Sequence, residues 1–203
     1  MGIEVEAKIR LPGVAAAVLR ERLAAEKATL DRRLVEANTY YDTPDGSLKT
    51  ADRGLRIRVE INEGTGDRRV VLTHKGPQAQ GPLKSRLETE AGIDDPRATA
   101  EVLAVLGYHA TLTFEKRRAR YLLDGCRVEI DQVPFLGTFV EIEGTTAGDV
   151  ERVRGRLGLA DRPLTRASYV AMLAAHLREH PERVGDDPVV RLSDDPACDA
   201  ALQ

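Results

Sequence analysis

Tryptophan is absent from the 203 residues of this chain, and aromatic side chains make up only 4% of them. Proteins that bind single-stranded nucleic acids stack the bases on aromatic side chains, so this scarcity argues against that class. The formal net charge is -3, which gives the chain no overall basic excess to attract a nucleic acid. We therefore expect no nucleic-acid partner.

Cysteine is also scarce, with Cys126 and Cys198 as the two in the chain. Two cysteines so far apart form neither a disulfide framework nor a CxxC metal knuckle, and a reducing compartment is then the default. The first six residues are acidic and alternating, unlike the basic and apolar regions of a signal peptide. No apolar run approaches the roughly 18 residues of a membrane span. We expect a cytoplasmic protein that does not contact a membrane.

Charge is abundant, at 31% of residues, and it follows a regular pattern. Between residues 3 and 11, apolar side chains alternate with charged ones, and a period of two predicts a strand with one apolar and one charged face. The strand end at Tyr40-Tyr41 precedes a turn. Similar patterns predict further strands at 55–61, 68–75, 87–91, 111–124, 126–132 and 138–144, and helical spacing or capping signals predict helices at 14–27, 94–106, 147–157 and 166–179.

The composition changes at residue 181, where proline, aspartate and glycine increase and the periodicity ends. We interpret residues 1–180 as one domain. Residues 181–203 are interpreted as an acidic, flexible tail with little role in the chemistry.

Like charges repeat on one face of several strands. Residues two apart on a strand lie roughly 6.5–7 Å from each other, at which distance like charges repel. One interpretation is an ordinary antiparallel sheet with a solvated charged face. The carboxylate pairs are Glu4 and Glu6, Glu88 and Glu90, Glu129 and Asp131, and Glu141 and Glu143, and the basic sets are Arg56 and Arg58, and Lys116, Arg118 and Arg120.

The other interpretation is a ligand site. Clustered carboxylates suit a hard divalent cation, which takes oxygen ligands. Clustered arginine and lysine suit a polyanion, because guanidinium groups match phosphate oxygens. A sheet of this many strands can also close into a barrel, with the apolar residues facing outward onto helices and the charges lining a wet bore.

The segment Glu4-Val5-Glu6-Ala7-Lys8 resembles the ExExK signature of the CYTH superfamily, also called the triphosphate tunnel metalloenzymes. That superfamily joins class IV adenylate cyclases and thiamine triphosphatases, with inorganic and RNA triphosphatases as relatives. The resemblance covers about residues 3–175. It continues, in order, through Tyr41-Asp42-Thr43-Pro44, Leu55-Arg56-Ile57-Arg58, Leu72-Thr73-His74-Lys75-Gly76-Pro77, Arg86-Leu87-Glu88-Thr89-Glu90, Lys116-Arg117-Arg118, Asp131, the segment 136–143, and Ser168-Tyr169.

The resemblance implies an α+β fold: a closed eight-stranded antiparallel β-barrel, the triphosphate tunnel, with helices packed on the outside and Mg²⁺ or Mn²⁺ as cofactor. The implied metal ligands are Glu4, Glu6, Glu88, Glu90, Asp131, Glu141 and Glu143. The implied triphosphate-binding residues are Lys8, Arg56, Arg58, Lys75, Arg86, Lys116, Arg118 and Arg166. The expected catalytic residues are Glu4, Glu6, Lys8, Lys75 and Arg166.

Several single residues have a simpler interpretation. Arg10 and Arg120 sit at strand ends and are interpreted as rim residues. Glu60 and Glu129 have the parity of the charged face, yet each could be a structural partner of an arginine inside the barrel. Tyr169 is expected to pack between barrel and helices.

Three functions follow from this pattern. The first hypothesis is a metal-dependent triphosphatase acting on inorganic triphosphate or a small organic triphosphate, such as thiamine triphosphate or a nucleoside triphosphate. The second is a class IV adenylate cyclase, although the His-Phe-containing signature of similar cyclases is missing. The third is a non-catalytic polyphosphate-binding module, against which the retained carboxylates argue, because they repel an anion. A monomer or a homodimer is expected.

Overall fold

The computed structural model describes residues 2–13, 15–183 and 188–198. These residues form nine strands, five α-helices and three short 3₁₀ turns. The strands are β1 (Gly2–Leu11), β2 (Thr29–Asp42), β3 (Gly54–Asn62), β4 (Arg68–Lys75), β5 (Lys84–Gly92), β6 (His109–Leu123), β7 (Cys126–Val133), β8 (Gly137–Gly144) and β9 (Val189–Val190). The helices are α1 (Ala15–Ala25), α2 (Ser47–Thr50), α3 (Pro96–Val105), α4 (Ala147–Arg156) and α5 (Tyr169–Glu179), and the 3₁₀ turns are Pro181–Arg183, Leu192–Asp194 and Pro196–Cys198.

Eight strands close into an antiparallel barrel in the order β2-β3-β4-β5-β1-β8-β7-β6, and β6 pairs again with β2. The ninth strand, β9, lies parallel to β6 at Thr113 and Phe114. Because the barrel is closed, each of its eight strands has a paired strand on both sides. The barrel that the resemblance implies is thus confirmed.

The main apolar core lies outside the barrel wall. Ala7 and Ile9 of β1 and Ile142 of β8 are at most 1% exposed, and they pack in one cluster with side chains of α1 and α4. On another side of the barrel, Leu103 of α3 packs with Ile57 of β3. Because the apolar face of each strand turns outward to these helices, the alternation of side chains turns the charged face inward.

Helix α5 packs against the barrel through aromatic side chains. Ser168 caps the helix, since its hydroxyl accepts a hydrogen bond from the Ala171 amide. Tyr169 follows the cap, and its ring contacts Phe114 and Phe139 edge-on at centroid distances of 6.5 and 5.2 Å. The predicted helix 166–179 therefore begins three residues later than expected, because Ser168 adopts an extended conformation.

The segment 188–198, within the expected tail, is packed onto the barrel. Val190, Leu192 and Cys198 are at most 7% exposed, which differs from the flexible segment expected there. Asp186 and Asp187, part of the acidic run, lie outside the described residues, and the division of the chain at residue 180 stays a prediction. None of the helices in the described part of the chain has the length and apolarity required to cross a membrane.

Candidate active site

The inward faces of the barrel strands line a cavity of about 980 Å³. Among the described residues, thirteen basic and nine acidic side chains line it. The cavity therefore has an excess of four basic groups, although the chain as a whole has a formal charge of -3. A charge distribution of this kind concentrates anions inside the barrel.

Three carboxylates meet at one place in the wall. Glu129 of β7 is the register partner of Glu141 of β8, and Glu143 lies two residues further along β8 on the same face. Each of the three offers an oxygen atom, and these atoms all lie within 4.8 Å of one another. Glu129 is fully buried and Glu141 is 6% exposed.

The carboxylates of this cluster have strongly perturbed pKa values. Burial, together with the charges of Glu143 and Asp131, raises the pKa of Glu129 to about 7 despite the opposing effect of Arg118. Burial and the neighbouring Glu4 raise the pKa of Glu143 to about 8. Ionising all three groups together is therefore unfavourable without a compensating cation.

Glu141 behaves differently, because cations surround it. Burial alone would raise its pKa, but Lys8, Arg118, Lys116 and Lys84 lower it well below the usual value. Glu141 is therefore a permanent carboxylate between two groups that ionise with difficulty.

The cluster fits a hard divalent cation. Three carboxylates within mutual reach supply the oxygen donors that Mg²⁺ and Mn²⁺ prefer. A cation among Glu129, Glu141 and Glu143 would offset their mutual repulsion, which adds to burial in raising the pKa of Glu129 and of Glu143. Glu141 and Glu143 were expected ligands, and the geometry adds Glu129 to their cluster; metal binding by the three stays a prediction. Glu4 lies beside the cluster, where Arg127 donates to its carboxylate at 2.5 Å.

Two other expected metal ligands are paired with lysines. The Glu6 carboxylate lies 3.0 Å from Lys84 and 3.4 Å from Lys8. Burial alone would raise the pKa of Glu6, but the two lysines lower it. Glu88 forms a close ion pair with Lys75. Both carboxylates line the cavity, and their role as metal ligands stays a prediction.

Glu90 and Asp131 also lie apart from the carboxylate cluster. Glu90 is 3.5 Å from Arg58. Asp131 is fully buried, accepts hydrogen bonds from Lys116 at 2.9 Å and from Arg118 at 2.6 Å, and does not line the cavity. The geometry makes Asp131 a support for these two cations, and a metal-binding role for either acid stays a prediction.

Lys8 of β1 is buried, at 4% exposed. Its ammonium group lies 3.0 Å from Glu141 and 4.2 Å from the centre of the Tyr169 ring, and it donates to the Ala167 carbonyl at 3.3 Å. Burial alone would lower the pKa of Lys8, but Glu141 and Glu6 raise it. Lys8 is therefore a fixed positive charge between the carboxylates and α5.

Arg118 is the centre of the buried charge network. It donates to Glu141 at 2.6 Å and to both oxygens of Asp131 at 2.6 Å, and it forms a close ion pair with Glu129. Burial alone would lower its pKa, but these acids raise it well above the usual value. Its neighbour on the same face, Lys116, lies 5.1 Å from the Tyr169 ring.

Arg56 differs from the other buried cations in its partners. Neutral groups hold it: it donates to the Asn38 carbonyl oxygen at 3.2 Å and to the Thr73 hydroxyl at 3.4 Å. Arg56 is only 8% exposed, and its side-chain hydrogen bonds in the described structure go to these two neutral groups. Because its partners are neutral, they do not offset the charge of this buried guanidinium, which can then pair with a bound anion.

The remaining expected phosphate-binding residues fall into two groups. Arg58 and Arg86 line the cavity, where Arg58 pairs with Glu60 at 2.9 Å and Arg86 reaches Asp52 at 3.6 Å. Arg166 is exposed and does not line it, because its guanidinium donates to the Gly81 carbonyl in the loop before β5. A phosphate-binding or catalytic role for Arg166 stays a prediction without support from this geometry.

The family model for the CYTH domain matches residues 2–153. This chain belongs to the CYTH family.

Individual relatives and a solved structure agree with that assignment. Adenylate cyclase CyaB of Aeromonas hydrophila is 28% identical over 190 residues, which cover 89% of this CYTH chain and 94% of that protein. Thiamine-triphosphatase of Macaca fascicularis is 38% identical over 105 residues, 52% of this chain and 40% of that enzyme. A solved protein of Pyrococcus horikoshii OT3 matches with a TM-score of 0.74 and 28% identity, covering 85% of this chain and 99% of that one.

Sequence reasoning missed two charged residues inside the CYTH barrel. Glu36 of β2 is fully buried, 3.3 Å from Lys116 and 3.7 Å from Arg118. Lys84 lines the cavity at the start of β5, two residues before Arg86. The parity rule could have found Lys84, since Lys84 and Arg86 share one face of the strand.

Tyr169 and Glu129 have closer contact with the CYTH cavity than expected. Tyr169 was expected between barrel and helices, and it also lines the cavity below Lys8. Glu129 was left between a ligand and a structural partner, and its carboxylate takes part in both the acidic cluster and the pair with Arg120. Arg120, expected at the rim, lines the cavity as well.

Proposed function

We propose that this protein is a divalent-metal-dependent phosphohydrolase that acts on inorganic triphosphate or a small organic triphosphate. One observation carries the proposal: a buried carboxylate cluster and an excess of basic groups face the same cavity. A polyphosphate with its divalent cation combines the two charges that such a cavity accommodates. The enclosure of these groups inside the barrel fits a small-molecule substrate better than a nucleic acid.

The basic residues of the wall would bind the phosphate chain. Arg56 can donate to phosphate oxygens without giving up an acidic partner, because neutral groups hold it. Lys8 and Arg118 adjoin the carboxylate cluster, so they would contact the phosphate nearest the cation. Fixed positive groups stabilise the charge on the transferring phosphoryl group with little reorganisation.

Glu129, Glu141 and Glu143 would hold the cation. A divalent cation bound there would offset phosphate charge and lower the pKa of a bound water. The chain itself contributes the permanent charge of Glu141, which Lys8 and Arg118 maintain. The use of Mg²⁺ or Mn²⁺ and a location in the cytoplasm stay predictions.

A cyclase is the second candidate, and the similarity to adenylate cyclase CyaB over 89% of this chain favours it. The same cations and carboxylates would then bind ATP, and a ribose 3′-hydroxyl would replace water as the nucleophile. The similarity to thiamine-triphosphatase, at higher identity over about half the chain, favours hydrolysis.

A substrate panel separates these reactions. The purified chain would be incubated with inorganic triphosphate, thiamine triphosphate or ATP, each with Mg²⁺, Mn²⁺ or a chelator, and both free phosphate and cyclic AMP would be measured. Metal-dependent phosphate release supports hydrolysis. Cyclic AMP as the main product of ATP would instead establish the cyclase, and binding without any turnover would establish a polyphosphate-binding module.

A further inference from the structure

The segment 188–198, which we name the C-terminal strap, lies against β6 on the outer side of the barrel. Lys116 and Arg118 of β6 point inward to the buried charge network, and the residues between and beside them, Glu115 and Arg117, have the opposite parity. Glu115 and Arg117 therefore face outward from β6, toward the strap.

The strap pairs with the part of β6 that extends beyond β7. β7 pairs with β6 only from Arg117 onward, so the preceding part of β6 has no β7 partner on that side. The strap pairs there instead: the Thr113 amide donates to the Pro188 carbonyl at 2.9 Å, and β9 continues the pairing to Phe114. Val190 of the strap is 2% exposed and packs in one cluster with Phe114 and Tyr169.

Side chains of β6 and β7 hold the rest of the strap. The Glu115 carboxylate accepts from the Leu192 amide at 3.0 Å, and Arg117 donates to the Cys198 carbonyl at 2.7 Å. From β7, Gln132 donates to the Ala197 carbonyl at 2.7 Å. Both outward charged residues that flank Lys116 are thus tied to the strap.

We propose that the C-terminal strap positions Lys116 and Arg118 for triphosphate binding by holding β6 from outside the barrel. The inference rests on the proposed function for what the two cations bind. In physical terms, the strap supplies hydrogen bonds that β7 does not provide at this end of β6, and without them the strand backbone opens locally more often. During such openings, Lys116 and Arg118 do not hold the relative positions that triphosphate binding requires.

The test keeps the full chain and removes single strap contacts. Glu115→Ala deletes the acceptor of the Leu192 amide. Glu63→Ala is the matched control: it also removes a carboxylate that contacts β6, because Glu63 pairs with Arg117 at 3.5 Å, but Glu63 does not contact the strap in the described structure. A second variant, Arg117→Met, removes the donor to Cys198 but keeps most of the aliphatic packing. Inorganic triphosphate is the probe, titrated by calorimetry, and KM and kcat are measured with the same compound.

Amide hydrogen exchange of residues 113–118 gives a readout that needs no substrate. We expect Glu115→Ala and Arg117→Met to lose exchange protection in these residues. We also expect their affinity for inorganic triphosphate to fall about fivefold, with KM rising more than kcat falls. Glu63→Ala should resemble the wild type in both measurements.

Unchanged protection of residues 113–118 in both strap variants would overturn the inference, as would lost protection with unchanged triphosphate affinity. A wild-type chain that bound no triphosphate would overturn the proposed function and, with it, the binding role given to the strap. The wild-type titration detects a failure of the proposed function by itself. The exchange measurement on β6 tests the strap contacts without substrate, so the two failures are distinguishable.

Discussion

Replacing Glu36 with alanine should lower the free energy of unfolding by about 3–5 kcal/mol, because it removes a carboxylate that three buried cations share. The Glu36 carboxylate is fully buried and lies 3.3 Å from Lys116, 3.7 Å from Arg118 and 3.9 Å from Arg58. An exposed ion pair contributes only about 0–1 kcal/mol. The difference between the two ranges is large enough to measure.

The direction of the Glu36 pKa shift agrees with a carboxylate that stabilises the fold in its ionised form. Burial alone would raise the pKa, yet Lys116, Arg118 and Arg58 lower it far below the usual value of 4.5. Because the folded-state pKa lies below the unfolded one, the ionised group stabilises the fold at pH above 4.5. That contribution is lost as the pH falls from there toward the depressed folded-state value.

Urea unfolding at pH 7 measures the effect. Glu36→Gln, which keeps the shape but loses the charge, should fall between wild type and Glu36→Ala. Glu101→Ala is the control, because Glu101 is exposed on α3, and it should stay within about 0.5 kcal/mol of the wild type. A Glu36→Ala variant within 1 kcal/mol of the wild type would refute the electrostatic account of the barrel interior.

Three further predictions concern other groups. Burial and like charges raise the pKa of Glu129 to about 7 and that of Glu143 to about 8. The cation-free fold should therefore lose stability as the pH rises from the unfolded-state value of 4.5 to these folded-state values. The rise in melting temperature on adding Mg²⁺ should be larger at pH 8.5 than at pH 6, and an equal rise would contradict the metal assignment. Tyr169→Ala should cost about 3–5 kcal/mol of stability in urea, whereas Tyr169→Phe, which keeps the ring below Lys8, should cost much less; equal losses would show that the ring is not what matters. Burial raises the pKa of the Cys126 thiol, so a thiol reagent should label it in the native state far more slowly than in urea, and fast native labelling would contradict its place in the core.

The sequence predicted the barrel well where a strand has one apolar and one charged face. In β1, Ile9 turns outward to the helices while Lys8 turns inward, so the period of two is visible in the sequence. β2 was recognised only at its C-terminal end. The face of β2 that contains Glu36 and Asn38 also contains the buried Leu34, so apolar and polar side chains are mixed on it, and no clear alternation marks this strand in the sequence.

The composition of the site could be read from the sequence, but its grouping could not. Parity placed Glu88, Asp131 and Glu141 on charged faces, yet only the barrel register decides which of them meet. The register sets Glu141 beside Glu129, and it sets Asp131 beside Arg118. Both pairs join neighbouring strands of hairpins, and their register depends on the geometry of the turns, which the alternation of side chains does not specify.

The most direct test of the metal-dependent triphosphatase is phosphate release from inorganic triphosphate with Mg²⁺, comparing the wild type with Glu141→Gln. Glu101→Gln serves as the control for loss of an exposed carboxylate. We predict release that needs the metal, at least a hundredfold slower in Glu141→Gln, a loss of about 2.7 kcal/mol of transition-state stabilisation, and unchanged in Glu101→Gln. Equal, metal-dependent release by a correctly folded Glu141→Gln variant would contradict the account.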